Sequence, residues 1–318
     1  QGPAELVELL MRNGALFWQA DDKGLRPYDY ALNSEPADRD RILFLCADGP
    51  KIEDPVFRSA VGAVQRGDIS DLKRLLDAHP RLLHDRAIEP EMGPRGYFSD
   101  PKLFWFIANN PSLIPEAPAN IIEIAEEMMA RGVEQSDLDY TLGLVMTNGL
   151  MAKAQQLALV ETLTGAGAKT DAHGVLMTLG HGQTAPVVWL LDHALLPLSA
   201  PIAAALGKAE EARRLLADAS LETKNEALAM AAINGQKEAA RLALEAGANP
   251  DALMVCHSHS TPLHQAALHG DLDLIRLLLN HGARTDIQDT MWRGTPLGWA
   301  LHGKQAEAAA MLRDAAKS

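Results

Sequence analysis

The sequence contains little that would support a sheet-rich, secreted or membrane-spanning protein. Aromatic residues make up only 5% of the 318 residues, and cysteine occurs twice, at Cys46 and Cys256. Two distant cysteines do not form the disulfide framework of a small secreted domain. No apolar run reaches the roughly 18 residues that a membrane-spanning helix needs, and no secretory signal peptide opens the chain. We therefore expect a cytoplasmic protein with no membrane partner.

Basic residues are also scarce. The chain has 29 Lys and Arg residues against 42 Asp and Glu residues, which gives a formal net charge of −13. An acidic surface repels phosphate backbones, so we expect no nucleic-acid partner. Hydrophobic residues make up 47%, which is typical of a folded protein. Alanine and leucine are abundant while aromatic residues are few, and this balance predicts helices rather than strands.

A unit near the C-terminal end of the chain is repeated. "TPLHQAALHGDLDLIRLLLNHGARTD" begins at Thr261, and "TPLGWALHGKQAEAAAMLRDAAK", which has the same order of elements, begins 34 residues later at Thr295. "EALAMAAINGQKEAARLALEAGANPD" at residues 226–251 follows the same plan. The spacing and the T-P-L-H-x-A-A signature resemble the ankyrin repeat, a helix-pair unit with a period of about 33 residues.

The residues of this unit account for its helices and turns. Thr261 suits a helix N-cap, and Pro262 suits the first helical position. Leu263 and the alanines that follow form the buried stripe of a short helix, His264 is a hydrogen-bonding residue, and Gly270 ends the helix in the left-handed conformation. A second amphipathic helix follows. One such pair cannot bury its apolar face alone, so the units must stack.

Weaker copies of the unit follow one another along the chain. We count about nine or ten helix pairs, some of them degenerate or shortened, and predict an all-α, ankyrin-repeat α-solenoid. The resemblance to bacterial ankyrin-repeat proteins covers nearly all of residues 4–317 and is most specific at 224–305. It implies a solenoid that binds other proteins, and it does not identify the partner.

The N-terminal part of the chain departs from the regular repeat. "QGP" at residues 1–3 resembles the remnant of a protease-cleavage linker, and we expect the natural protein to extend further upstream. Residues 4–50 are predicted to be truncated ankyrin-like repeats, and residues 51–318 to be the solenoid. Polar, proline-bearing sequence at 33–55 marks this boundary, and we favour a solenoid that continues across it.

Two motifs suggest a metal site and a phosphate site, but the repeat pattern accounts better for their residues. Cys256, His257 and His259, with His264 nearby, are residue types that bind zinc. The competing interpretation assigns His264 to the repeat and places the other two histidines on a solvated hairpin tip. "GAGAKTD" at residues 165–171 lacks the G-x-x-x-x-G-K-[ST] spacing of a phosphate-binding loop and matches a helix end. We therefore expect no metal and no cofactor.

A polar column is the strongest candidate for a binding surface. In each unit the two residues before the helix-ending glycine should lie at the exposed end of the first helix, and Asn and His recur there. Aromatic residues at turn tips, with Trp299 as a further candidate, would anchor a peptide or loop. Asparagine also caps helix ends, and this alternative accounts for part of the pattern. The partner-binding candidates are Asn109, Asn110, Asn148, His181, Asn234, Leu268, His269, Trp292 and His302.

These observations predict a protein-interaction scaffold that holds a protein or peptide on the concave face of the solenoid. No G-x-S-x-G or H-E-x-x-H motif occurs, so we expect no catalytic residues. Two alternatives stay open. The His-rich segment 256–269 could serve a metal- or small-ligand-responsive regulator, or the chain could be the ankyrin segment of a larger enzyme. The sequence does not predict the partner or the oligomeric state.

Overall fold

The structure, a computed structural model, describes residues 3–13, 15, 20–32, 38–46, 52–88, 100–109, 116–256 and 258–316. These residues form α-helices and two 3₁₀-helices and contain no strand beyond an isolated bridge between Arg86 and Lys102. No helix among them is long and apolar enough to cross a membrane. The chain divides into two compact units, residues 1–169 and 170–318.

The first unit contains a leading helix and four helix pairs in its described part. Asp54 caps one of these helices by accepting hydrogen bonds from the backbone N–H groups of Val56 and Phe57, and Gly67 ends it at φ 72°. The elements are α1 (Pro3–Arg12), α2 (Pro27–Leu32), α3 (Arg39–Cys46), α4 (Pro55–Arg66), α5 (Ile69–Ala78), 3₁₀-helices Pro80–Leu83 and Leu103–Ala108, α6 (Ile121–Ala130), α7 (Gln135–Thr147) and α8 (Lys153–Gly165).

A buried polar cluster anchors the 3₁₀-helix Leu103–Ala108, which replaces the first α-helix of its pair. All six of its residues are buried. The indole Nε1 of Trp105 donates a hydrogen bond to Asp137 Oδ1 at 3.2 Å, and Lys102 Nζ contacts Asp137 Oδ2 at 2.7 Å. Asp137, at the start of α7, therefore provides hydrogen-bond partners for the buried polar groups of Lys102 and Trp105.

The second unit consists of five helix pairs within its described residues. The first helices of successive pairs pack against one another, and so do the second helices of the last four pairs. The elements are α9 (Ala172–Gly180), α10 (Thr184–Asp192), α11 (Ala200–Ala205), α12 (Ala209–Leu216), α13 (Leu221–Ile233), α14 (Lys237–Glu245), α15 (Pro262–His269), α16 (Leu272–Asn280), α17 (Pro296–His302) and α18 (Ala306–Ala315).

Small residues determine how closely the first helices of the second unit approach. Ala204, Ala231 and Ala267 are fully buried in a core that is rich in alanine and leucine. Gly270 ends α15 at φ 69°, as the repeat predicts. Gly303, which ends α17, has φ −72° instead, and a Cβ built on it would lie 2.4 Å from the carbonyl oxygen of Leu268. This glycine is therefore explained by the close approach of α15 and α17 rather than by a left-handed turn.

The all-α fold of stacked, ankyrin-type helix pairs confirms the prediction, and the nine pairs of the described residues agree with the predicted number. Pro262 begins a helix, as the sequence predicts, and Pro27 and Pro296 begin helices in the same way. Cys46 and Cys256 are both buried, and neither forms a disulfide within the described part of the chain. The predicted boundary near residue 50 falls inside the first unit and next to residues 47–51, which lie outside the described part of the chain, so it stays a prediction.

Candidate functional site

A groove of about 930 Å³ opens on the second unit at the C-terminal ends of its first helices. We call it the aromatic groove. It lies among the ends of α9, α13, α15 and α17 and the hairpin that precedes α17. Five of the sequence-predicted candidates line it together, namely His181, Leu268, His269, Trp292 and His302. Residues that are 121 positions apart in the chain are thus gathered at one surface by the stacking of the repeats.

Three aromatic rings form one wall of the aromatic groove. The ring centroids of His259 and Trp292 are 5.1 Å apart with perpendicular planes, and those of Trp292 and Trp299 are 5.9 Å apart. The centroids of His259 and Trp299 are separated by 5.8 Å. Trp292 is nevertheless 66% exposed, so its indole offers a large free surface at the groove. Such an exposed tryptophan is typical of a binding site rather than of a core.

Asp289 holds the turn that presents Trp292. Its Oδ1 accepts hydrogen bonds from the backbone N–H groups of Met291 and Trp292, at 2.9 and 2.6 Å. Its Oδ2 accepts from the backbone of Gly294 at 2.8 Å and from Trp299 Nε1 at 3.0 Å. Burial opposes ionisation of this carboxyl, but these hydrogen bonds outweigh it and lower the pKa of Asp289 to about 2. A carboxylate with four donors fixes both tryptophans.

His264 lies behind the aromatic wall and is fully buried. Its Nδ1 is 3.2 Å from the backbone N–H of Thr261, which donates to it, and 2.8 Å from the Thr261 hydroxyl. Its Nε2 is 3.1 Å from the carbonyl oxygen of Gly294 and therefore carries the proton and donates there. Burial lowers the pKa of His264 and keeps the ring neutral. The histidine joins the start of α15 to the hairpin, so its predicted role as a residue of the repeat is confirmed.

The metal-binding interpretation of the segment 256–269 finds no support in the described residues. No three His, Cys, Asp or Glu side chains among them are placed to hold a metal ion. Burial raises the pKa of the Cys256 thiol to about 11, which opposes formation of the thiolate that binds metals. His259 is half-buried and its ring packs against two tryptophans, so it is less solvated than the predicted hairpin tip. His257 lies outside the described residues.

Two of the predicted partner-binding asparagines, Asn109 and Asn148, are corrected by the structure. Both side chains are buried in the first unit. Asn109 has φ 56° and is itself the left-handed residue that ends the 3₁₀-helix. Asn148 Nδ2 donates to the carbonyl oxygen of Ala108 at 2.7 Å. The helix-capping alternative therefore explains these two asparagines, and neither offers its side chain to a partner. Asn110 lies outside the described residues.

Asn234 is half-buried and serves the packing of the second unit. Its Nδ2 donates to the carbonyl oxygen of Leu179 at 3.1 Å and to that of Met230 at 2.9 Å. These bonds join the ends of α9 and α13 and use both amide hydrogens. The side chain therefore supports one end of the aromatic groove, although it does not line the groove itself.

Sequence reasoning missed several groups that build the groove. His259 and Gln265 line it, and Asp289 organises its wall. Ile233, which also lines it, belongs to the predicted column before Gly235 but was not among the partner-binding candidates. A signal for Asp289 was present, because an aspartate followed by a short segment and a glycine is typical of a turn in which the side chain accepts backbone hydrogen bonds. The segment "DTMWRG", residues 289–294, has this form. The ring contacts of His259 arise from tertiary packing and leave no local signal.

The comparisons with known proteins bear on a part of the chain that lines the groove in part. Residues 200–289 match the model of the family described as "Ankyrin repeats (3 copies)". The match includes α11 to α16 and the groove residues Ile233, His259, Gln265, Leu268 and His269. Ankyrin repeats generally mediate protein–protein interactions. The comparison of the chain with curated proteins gave no match.

Proposed function

We propose that this protein is a non-enzymatic interaction module that holds a protein partner in the aromatic groove of its second unit. The observation that carries the proposal is the exposed indole of Trp292 at the wall of this groove. Tryptophan is among the residues that are most enriched at binding hot spots. The ankyrin match at residues 200–289 supports a protein as the partner.

The groove is organised before any partner arrives, which favours binding. The four hydrogen bonds to Asp289 fix the turn around Trp292, and His264 fixes Gly294 from the other side. Because these bonds are already formed, a partner does not have to order the hairpin when it binds. Leu268 and Ile233 add apolar surface to the same groove.

The setting of this module is part of the proposal. Two buried cysteines that form no disulfide in the described residues and the net charge of −13 support a cytoplasmic protein that does not bind nucleic acid. A bacterial origin rests on the resemblance of the repeats alone. The helical repeat fold is typical of interaction modules rather than of enzymes, and the alternative of an ankyrin segment within a larger enzyme concerns sequence beyond this chain.

A small-ligand-responsive regulator is the second candidate function. Its support is the volume of the groove, because about 930 Å³ lies within the range of roughly 300–1,000 Å³ that is usual for small-molecule sites. A protein partner is favoured because the ankyrin match at residues 200–289 includes five of the groove residues, and because the groove opens along the ends of several helices.

A peptide-display selection tests the proposed function. A random library is selected on the intact chain, and each enriched peptide is measured against Trp292→Ala and against Leu221→Ala. Leu221 is 58% exposed in the same unit and does not line the groove, so its variant is the matched control. We expect peptides that lose about tenfold or more in affinity for Trp292→Ala and bind the control unchanged. A selection without groove-dependent peptides would contradict the proposal.

A further inference from the structure

We infer that the aromatic groove recognises an uncharged, proline-rich segment in the polyproline II conformation. This inference rests on the proposed function, because it names the chemistry of the protein partner at the same groove. Four observations carry it. The groove lining has no charged side chain, and three lining side chains have nitrogens without a hydrogen-bond partner among the described residues. One backbone conformation of a partner offers carbonyl oxygens to these nitrogens, and one lining glycine has no explanation within the chain.

The lining of the groove contains no Asp, Glu, Lys or Arg side chain. A charged side chain from a partner would lose water there and find no counter-charge, which is unfavourable. The carboxylate of Asp289 is not available to it, because its two oxygens already accept four hydrogen bonds. Charge complementarity therefore selects a partner segment whose side chains are uncharged and apolar.

Three side chains of the groove keep polar nitrogens without a hydrogen bond to any described residue. They are the indole Nε1 of Trp292, which can only donate, and the imidazoles of His269 and His302. His269 and His302 are exposed at the ends of α15 and α17. A partner that offers free carbonyl oxygens along one side would satisfy these groups while its apolar side chains cover the rings.

Only one regular backbone conformation offers free carbonyl oxygens at such a site. An α-helix uses its carbonyl groups internally, except at its end. A β-strand needs the edge of a sheet, and the described residues of the second unit form no strand. A polyproline II segment has no internal hydrogen bonds, and its proline rings pack against aromatic side chains at little cost in entropy. This conformation matches both the rings and the free nitrogens.

Gly298 adds an independent steric observation. It lies within α17 and lines the groove, with an ordinary helical backbone. A Cβ built on it would meet no atom closer than Thr295 Oγ1 at 3.8 Å, so no contact within the described chain requires a glycine there. Glycine weakens a helix relative to alanine, so its presence needs a reason. The close approach of a partner backbone to α17 supplies one.

Fluorescence anisotropy with a labelled oligoproline peptide tests this inference on the intact chain. Two comparison peptides of the same length are used: a flexible Gly-Ser peptide, and a helical peptide of the EAAAK type. We expect saturable binding of oligoproline that is about tenfold or more tighter than that of either comparison peptide. Trp292→Ala should weaken it by about tenfold, and Leu221→Ala should leave it unchanged.

The variant Gly298→Ala separates an effect on binding from an effect on folding. We expect this variant to unfold at the same or a higher temperature than the wild type and to bind oligoproline several-fold more weakly. Gly143→Ala, which adds a methyl group to open space in α7, is the matched control and should leave binding unchanged. Equal binding of the Gly-Ser peptide, no saturable binding of oligoproline, or undiminished binding by Trp292→Ala or Gly298→Ala would overturn the inference. Groove-dependent display peptides that lack proline would overturn it and leave the proposed function intact.

Discussion

Asp289 and Trp299 are joined by a hydrogen bond of 3.0 Å between the carboxylate Oδ2 and the indole Nε1. This bond ties the hairpin before α17 to the helix itself. The same carboxylate holds the backbone of Met291, Trp292 and Gly294. The position of the exposed Trp292 therefore depends on the buried carboxylate of Asp289.

Asp289→Asn should loosen this arrangement. An amide has one oxygen, so its NH₂ group would face N–H donors that now bond to a carboxylate oxygen. We expect the free energy of unfolding to fall by about 1–3 kcal/mol, because buried donors lose their acceptor. Urea denaturation followed by circular dichroism measures the change, with the exposed Asp286→Asn as the control. Equal stability of the two variants would show that the carboxylate does not organise the hairpin.

The same carboxylate gives a signed pH dependence. Its pKa of about 2 in the folded chain lies below the ordinary value of 3.8, so the unfolded chain takes up the proton first as the pH falls. The stability that Asp289 contributes is therefore complete above about pH 5 and is lost as the pH falls towards 2. We expect the difference in unfolding free energy between wild type and Asp289→Asn to shrink across this range. A constant difference from pH 6 to pH 3 would contradict the assignment.

The sequence predicted the fold well because the repeat leaves local signals. Pro262, Gly270 and the alanine stripe between them specify the start, the end and the packing face of a helix, and each performs that role in the structure. The nine helix pairs follow from recurrence of this pattern. The 3₁₀-helix Leu103–Ala108 departs from this pattern, and its cap is an asparagine rather than a glycine.

The site was predicted only in part, for a physical reason. Position within a repeat identified His181, Leu268, His269, Trp292 and His302, which line one groove. Position alone could not separate an asparagine that faces a partner from one that caps a helix, because both occur at the same helix end. The partners of such a side chain come from neighbouring repeats, and their distances are fixed by packing. The ring contacts of His259 with Trp292 and Trp299 depend on packing in the same way, whereas the turn at Asp289 leaves a local signal in "DTMWRG".

Asn148 and His269, which are equivalent in sequence position, should respond differently to alanine. Asn148 is buried, donates to the Ala108 carbonyl and accepts from the N–H groups of Leu150 and Met151. Asn148→Ala should lower the free energy of unfolding by about 1–3 kcal/mol, because these groups lose their partner. His269→Ala should change it by less than about 0.5 kcal/mol, because the side chain is exposed. Urea titrations of both variants measure the two changes. If Asn148→Ala unfolds with the same free energy as the wild type, Asn148 becomes a partner-binding candidate again.

Two helical glycines should show opposite effects when replaced by alanine. A Cβ on Gly180 would lie 2.5 Å from Cys256 Sγ and 2.6 Å from Cys256 Cβ, whereas a Cβ on Gly143 would meet nothing within 4 Å. Gly180→Ala should therefore cost about 1–3 kcal/mol through overpacking. Gly143→Ala should stabilise the chain by up to about 1 kcal/mol through helix propensity. Thermal unfolding compares the two variants.

The clash at Gly180 has a specific rescue. Cys256→Ala removes only the sulfur and leaves the Cβ at 2.6 Å, so it should restore little of the stability lost in Gly180→Ala. Cys256→Gly removes both atoms and should restore more. If the two second-site variants restore equal stability, the destabilisation by Gly180→Ala does not come from its contact with Cys256.

Lys102 and Asp137 form a buried ion pair in the first unit that can be tested by a double-mutant cycle. The two side chains are 2.7 Å apart, and both are less than a tenth exposed. Burial opposes the charge of the ammonium group, but the hydrogen bonds to Asp137 and Glu134 outweigh it and raise the pKa of Lys102. Lys102→Met should cost about 3–5 kcal/mol, because it leaves a buried carboxylate without its cation.

The second arm of the cycle separates the lost charge pair from lost packing. Asp137→Asn keeps an oxygen for the indole N–H of Trp105 and removes the charge, so the double variant should be more stable than Lys102→Met alone. Lys73→Met is the control, because the Lys73–Glu127 pair is at the surface and should contribute less than about 1 kcal/mol. Urea denaturation of the four chains gives the coupling energy. If the double variant is no more stable than Lys102→Met, the stability lost in Lys102→Met comes from the packing of the lysine side chain. The unpaired carboxylate of Asp137 would then not be the cause of that loss.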